Sequence, residues 1–230
     1  MAIIGKLKGD KKILPVLAAN KALFVLVLIT VFLVPVIPVA FHRNTYSILL
    51  TIILLTGTQL ISKHRKLVLS SVVLAIVMVW IGDLMELGVI KSISKGVNVV
   101  LFTFIVIDLV KQISSAKMVS PKVILESING YLMIGLVFSL LVAILMSLNH
   151  DAFSFFSSTS YPTGNEFPFH NFIYYTFSTL TTVGYGDVVP MTPVARSLSI
   201  LISVTGQLYI AIVIALLVGK YIVQEGRPQQ

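Results

Sequence analysis

Long apolar runs, broken by short polar, basic or proline-marked stretches, set the pattern of this chain. The runs lie near residues 22–41, 46–62, 67–90, 97–113, 130–149 and 195–222. A helix rises 1.5 Å per residue, so about 20 apolar residues cross the hydrocarbon core of a bilayer. Six spanning helices are therefore expected, the fourth being the shortest. The first follows a basic start, as a signal peptide does. It is longer than the roughly 7–15 apolar residues of such a leader, so it reads as a span. Pro35 and Pro38 lack a backbone donor and are expected to kink it. Residues 150–194 differ from the rest: they carry Gly, Pro, Asn, Ser and aromatics, but no Lys or Arg. Within them, about 169–181 has a helical pattern too short to span, which reads as a re-entrant segment. Ser120 followed by Pro121 is a good helix start. Val123, Ile124, Ile128 and Leu132 then fall near one face, so 114–129 is expected to be an interfacial helix joining the fourth span to the fifth.

Composition sharpens this picture. Of 230 residues, 57% are hydrophobic and 11% charged, against about 25% charged in a soluble domain. So few ionic groups cannot cover a soluble surface of this size. The net charge of +8 does not point to nucleic acid, because the cations gather at the ends of apolar runs. With the N-terminus inside, 13 of the 17 Lys and Arg lie on the inner side, and Arg43, Lys91, Lys95 and Arg196 outside. The positive-inside bias then places both termini in the cytoplasm, in a multi-pass protein of the cell membrane. The arm 1–21 carries Lys6, Lys8, Lys11, Lys12 and Lys21. It suits anionic lipid headgroups, at ~1 kcal/mol per cation, or serves topology alone. Cysteine is absent, which excludes disulfides and thiolate metal sites. No catalytic constellation is read, and no enzyme activity is expected.

The chemistry concentrates in Thr181-Thr182-Val183-Gly184-Tyr185-Gly186-Asp187, directly after the short helical segment. Backbone carbonyls can replace an ion's hydration oxygens if several consecutive peptides point one way. Alternating negative and positive φ achieves that, and glycine takes positive φ without penalty. Gly184 and Gly186 stand at the required spacing of two. Val183 and Tyr185 are expected to face away and pack on the short helix, and Thr182 to add a hydroxyl at the inner end.

This string resembles the selectivity filter of the six-helix potassium channels of the pore-loop superfamily, prokaryotic in type. The resemblance implies an all-α membrane fold of six spanning helices plus a re-entrant pore helix and filter loop, assembled as a homotetramer, since one filter string per chain needs four copies to close a ring. It implies K+ bound at Thr182, Val183, Gly184, Tyr185 and Gly186, with no other cofactor. Tyr174 and Tyr175 fall where the family braces its filter, and Tyr175 is expected to hydrogen-bond Asp187. Ser178 stands where some relatives carry a carboxylate. Gly206, 22 residues after Gly184, matches the family's hinge glycine. Ser203, Gln207, Ile210, Ile214 and Val218 form one stripe of the last helix. Gln207 is expected to face a wet cavity, and Ile214 and Val218 to form a constriction.

The domain organisation expected is a basic arm 1–21, a four-helix voltage-sensor-like unit 22–113, the linker helix 114–129, a pore domain 130–222 and a tail 223–230. The sensor arginines of voltage-gated relatives are missing. The only buried ionic residue expected in the fourth run is Asp108, which is expected to pair with Lys111 one turn on. No soluble ligand-binding domain is expected. The four histidines read as solvated side chains, with His170 the exception to consider. The expectation is a passive potassium channel with little voltage dependence. The rivals are a weakly selective monovalent cation channel and a non-conducting membrane sensor or regulatory subunit on the same fold.

Overall fold

The computed structural model describes residues 16–61, 68–74, 77, 88–116, 118–155 and 169–225. Helix α1, Val16–Val36, loosens to a π-helix over Ile29–Leu33 and tightens to a 3-10 turn over Val34–Val36. Pro35 causes this: its ring crowds the carbonyl four residues back, and it offers no N–H to the ladder. Ile37 is then extended (φ −72°, ψ 152°), as a residue before proline prefers. The prolines therefore end the helix where a kink was expected. The tail of the first apolar run belongs to α2, Val39–Leu60.

Four helices are long and apolar enough to cross a membrane among the described residues: Val16–Val36, Gly96–Ser115, Pro121–Leu148 and Pro193–Glu225. Helix α2 is long enough but more polar, carrying His42, Arg43, Asn44 and several threonines. Thr51, Thr56 and Thr58 return their hydroxyls to backbone carbonyls three or four residues earlier, at 2.7–2.8 Å, which satisfies them without water. The third expected run is helical at 68–74 and otherwise lies mostly outside the described residues.

Helix α3 is Gly88–Ser115 and α4 is Pro121–Leu148. Ser120 caps α4 by accepting from the Val123 N–H at 3.5 Å, with Pro121 at the first position. The helix does not stop near residue 129. The expected linker helix and the fifth span are one continuous element. Its first turns bury Val123, Glu126, Ser127 and Asn129 and leave Ile124 and Ile128 exposed.

The strand β1, Phe153–Phe155, follows. Helix α5 is Phe169–Leu180, β2 is Val188–Pro190, and α6 is Pro193–Glu225. The strands pair antiparallel, with Phe153 opposite Pro190 and Phe155 opposite Val188. This clip joins the end of α4 to the segment just after Asp187.

Helix α4 is the hub, burying Met133, Leu136, Phe138, Val142 and Met146 against its neighbours. Among the described residues, polar and aromatic contacts tie the earlier helices to the last part of their own chain. Asn20 of α1 donates to Glu126 of α4 at 3.2 Å. His42 and Tyr46 of α2 pack on His170 and Phe169 of α5. Lys220 of α6 donates to the carbonyls of Ile113 and Ser114, at 2.6 and 2.8 Å, where α3 ends. Gln224 of α6 accepts from the Val119 N–H at 3.1 Å. Within α3, Asp108 accepts from Gln112 at 2.9 Å and is not paired with Lys111 as expected. The same Gln112 amide also donates to the Leu60 carbonyl at 2.9 Å, closing the end of α2.

Candidate functional site

The site begins at the C-terminal end of α5. A helix leaves its last four carbonyls without intrahelical partners, and here each receives one. The Phe177 carbonyl accepts from the Thr181 N–H (3.0 Å) and hydroxyl (2.7 Å). The Ser178 carbonyl accepts from the N–H groups of Val183 (2.9 Å) and Gly184 (3.1 Å). The Thr179 carbonyl accepts from the Thr182 N–H (3.0 Å) and from the Ser203 hydroxyl of α6 (3.2 Å). The Leu180 carbonyl accepts from the Tyr131 hydroxyl of α4 at 3.5 Å. The chain thus turns tightly off the helix and is tied to both flanking helices.

From that turn the backbone alternates. Positive φ occurs at Thr182 (61°), Gly184 (55°) and Gly186 (79°), and these are the positive-φ residues of the described chain. Alternation with period two turns successive carbonyls toward one side. A Cβ added at Gly184 or Gly186 meets nothing within 4 Å, so the dihedral, not crowding, requires glycine there. Thr182 is β-branched, and its left-handed conformation is strained. It is held by its N–H on Thr179 and by Gln207, whose amide reaches the Thr182 hydroxyl at 3.5 Å.

The side chains correct two expectations. Tyr174, not Tyr175, meets Asp187, its hydroxyl donating to the carboxylate at 2.6 Å. That bond to an anion keeps the phenol protonated and pushes its pKa up to about 12. Tyr175 is buried. Its hydroxyl pairs with Ser199 of α6, and its ring meets Phe153 of β1 edge-on at 4.9 Å. The two tyrosines brace different things: one the exit of the loop, the other the joint between α5, α6 and the clip. Tyr185 stacks on Tyr174, rings parallel within 4°. Val183, expected to pack on the short helix, is 53% exposed in the single chain. Ser178 turns its hydroxyl back to the Tyr175 carbonyl, at 2.9 Å.

On α6, Ser203 is turned toward α5 and Gln207 lies under Thr182. Gly206 is buried, and a Cβ there would strike the Leu180 carbonyl. The helix runs unbroken from Pro193 to Glu225. Gly206, the expected hinge, thus sits where α6 passes close against the end of α5. Ile210, Ile214 and Val218 are exposed. Val218 also lines an apolar groove with Val119, Ile124, Leu217 and Tyr221.

Two clusters escaped the sequence reading. Glu126 is 1% exposed and takes a hydrogen bond from Asn20 and an ion pair from Lys122 at 3.3 Å. Asn129, one turn on, donates to the Asn20 carbonyl at 2.9 Å. On the next face, the Tyr209 hydroxyl of α6 donates to the Ser127 carbonyl at 2.7 Å and lies against Gly130. The signal was present as an acid four residues after Lys122 within a helix start. The second cluster is His42 with His170, whose Nδ1 atoms are 3.1 Å apart. Nothing in the spacing of residues 42 and 170 announces it.

Residues 134–223 match a family model described as "Ion channel". The matched stretch takes in most of α4, all of α5, the alternating loop and nearly all of α6. No curated protein and no solved structure matches the chain. The match and the apolar helices together support an ion channel carried on a multi-pass membrane protein.

Proposed function

We propose that this chain is one subunit of a homotetrameric potassium channel, with Thr182, Val183, Gly184, Tyr185 and Gly186 as its filter. The observation that carries the reading is the alternation of positive φ at 182, 184 and 186, hung from the end of a half-helix between two membrane-length helices. Four such loops around an axis offer stacked rings of carbonyl oxygens, with the Thr182 hydroxyl at the inner end. K+ is the cargo and exchanges its water oxygens for these. The end of α5 directs its negative dipole end below the filter, favouring a cation there. Gln207 supplies a polar wall at that depth, and Ile210, Ile214 and Val218 continue the same wall inward. Both termini lie on the inner side, where the basic arm and anionic lipids meet.

The test is K+ and Na+ flux through the purified protein in liposomes, with the reversal potential measured in mixed gradients. A potassium reversal is expected, abolished in Gly184→Ala, since a Cβ opposes the left-handed conformation. A reversal indifferent to K+ and Na+ supports the weakly selective channel. No flux from protein that is folded and tetrameric supports the non-conducting subunit.

A further inference from the structure

Helix α2 touches the beginning of the short helix through a histidine on each, and the chemistry of that contact fixes where its protons sit. His42 is 4% exposed. Its Nε2 lies 2.6 Å from the Ile37 carbonyl. A carbonyl only accepts, so His42 Nε2 carries a hydrogen. In the neutral ring Nδ1 is then a lone pair. That Nδ1 faces His170 Nδ1 at 3.1 Å, so His170 must donate from Nδ1. The rings meet edge to face, with centroids 4.9 Å apart. Tyr46 and Phe169 close the cluster: Tyr46 lies against His42 at 5.9 Å and against Phe169 at 5.1 Å.

We propose that the His42–His170 contact is a proton-operated latch between α2 and the start of α5, closed while the pair holds at most one extra proton and opened by the second. The argument rests on the channel reading above and on proton bookkeeping. One added proton leaves the bond intact. It goes to His170 Nε2, or to His42 Nδ1 with His170 Nδ1 becoming the acceptor. A second proton puts N–H groups on both facing nitrogens and two positive charges a few ångströms apart. Among the described residues the titratable groups packed on the pair are Tyr46 from α2 and the two rings themselves. Among the described residues no carboxylate offsets the charge: burial lowers the His170 pKa first, and the His42 charge lowers it further. The sign follows. Unpaired rings in water titrate near ~6.5, so the doubly charged state is reached only below the ordinary range. The latch is whole at neutral pH and fails in acid.

The latch holds the first turn of the helix whose last turn carries the filter. Its release frees α5 at one end, and conduction is expected to fall. The experiment is K+ flux through the full chain in liposomes between pH 7.5 and pH 5.0. A drop on the order of tenfold is expected for the native chain. His170→Gln retains an amide donor for His42 Nδ1 but cannot take the second charge, and its flux is expected to stay within about twofold over the same range. Native flux that ignores pH overturns the proposal, as does a His170→Gln chain that falls as the native one does. Imidazole NMR on the same protein, with signals assigned through His42→Gln and His170→Gln, reads the latch without conduction. A second protonation step displaced below the ordinary range supports the latch even in a chain that passes no ions. Two independent steps at ordinary pKa overturn it even in a chain that conducts.

Discussion

At the scale of single residues, glycine does two different jobs. Gly184 and Gly186 have open space around them and are required by dihedral angle alone. Gly206 has an ordinary helical backbone and is required by space, because the Leu180 carbonyl occupies the position of its Cβ. The two cases make different predictions. Gly206→Ala is expected to destabilise the assembled protein by about 1–3 kcal/mol, the usual range for forcing a group into a packed site, and to reduce flux by displacing the end of α5. Thermal unfolding of the detergent-solubilised protein measures the first effect. A hinge glycine would behave otherwise, with the alanine variant keeping its stability and changing only its opening. The tyrosine pair teaches a related lesson. Adjacent residues on a helix point about 100° apart, so Tyr174 and Tyr175 cannot share a partner. Which of them reaches Asp187 depends on how α5 rolls against α4 and the strand clip.

At the scale of elements, α3 and α4 carry the testable content. The charges in the apolar part of α3 are Asp108 and Lys111, and Asp108 is tied to Gln112. One net charge crossing a third of the field biases an equilibrium by less than ~1 kcal/mol per 100 mV. Open probability is therefore expected to change only a few-fold per 100 mV in symmetric potassium. Single-channel recordings showing a tenfold rise over about 10–15 mV would mean that several charges move and that α3 is misread. In α4, Glu126 is a buried carboxylate serving two donors, Asn20 and Lys122. Glu126→Ala strands the buried Asn20 amide while Lys122, about a third exposed, still reaches water, and is expected to cost about 1–3 kcal/mol, the range for an unsatisfied buried group. Glu126→Gln keeps an acceptor for Asn20 and is expected to cost clearly less. A melting comparison of the two variants decides this, and equal losses would show that Asn20 contributes nothing to the joint. The joint seats the polar residues at 126, 127 and 129 against α1 and α6 inside the protein, while Ile124 and Ile128 stay exposed.

For the whole molecule, α6 is the revealing element. It is apolar on nearly all sides, yet buries only Ala195, Ile202 and Gly206 within its own chain. Tyr185 and Val183 are likewise left exposed. Four copies around the filter axis would cover these surfaces. The solubilised protein is expected to run as a tetramer of 25.2 kDa chains in multi-angle light scattering, and a stable monomer there would remove the ring on which the filter depends. Among the described residues α1 meets α4, and α2 meets α3 and α5 of the same chain, so each subunit is expected to carry its own outer helices as a unit.

The sequence by itself determined what depends on local geometry. Apolar run lengths marked the spans at α1, α4 and α6, because crossing a bilayer sets a minimum number of residues. Ser120–Pro121 marked the start of α4, because capping involves only neighbouring groups. Gly184 and Gly186 marked the alternating loop, because φ is a property of one residue. The tertiary structure decided what depends on the roll and approach of helices. It chose Tyr174 for Asp187, made Gly206 a point of contact, seated Glu126 beneath Asn20, and brought His42 to His170 across more than a hundred residues. Those choices rest on angles and distances between helices, which a side chain's place in the sequence does not encode.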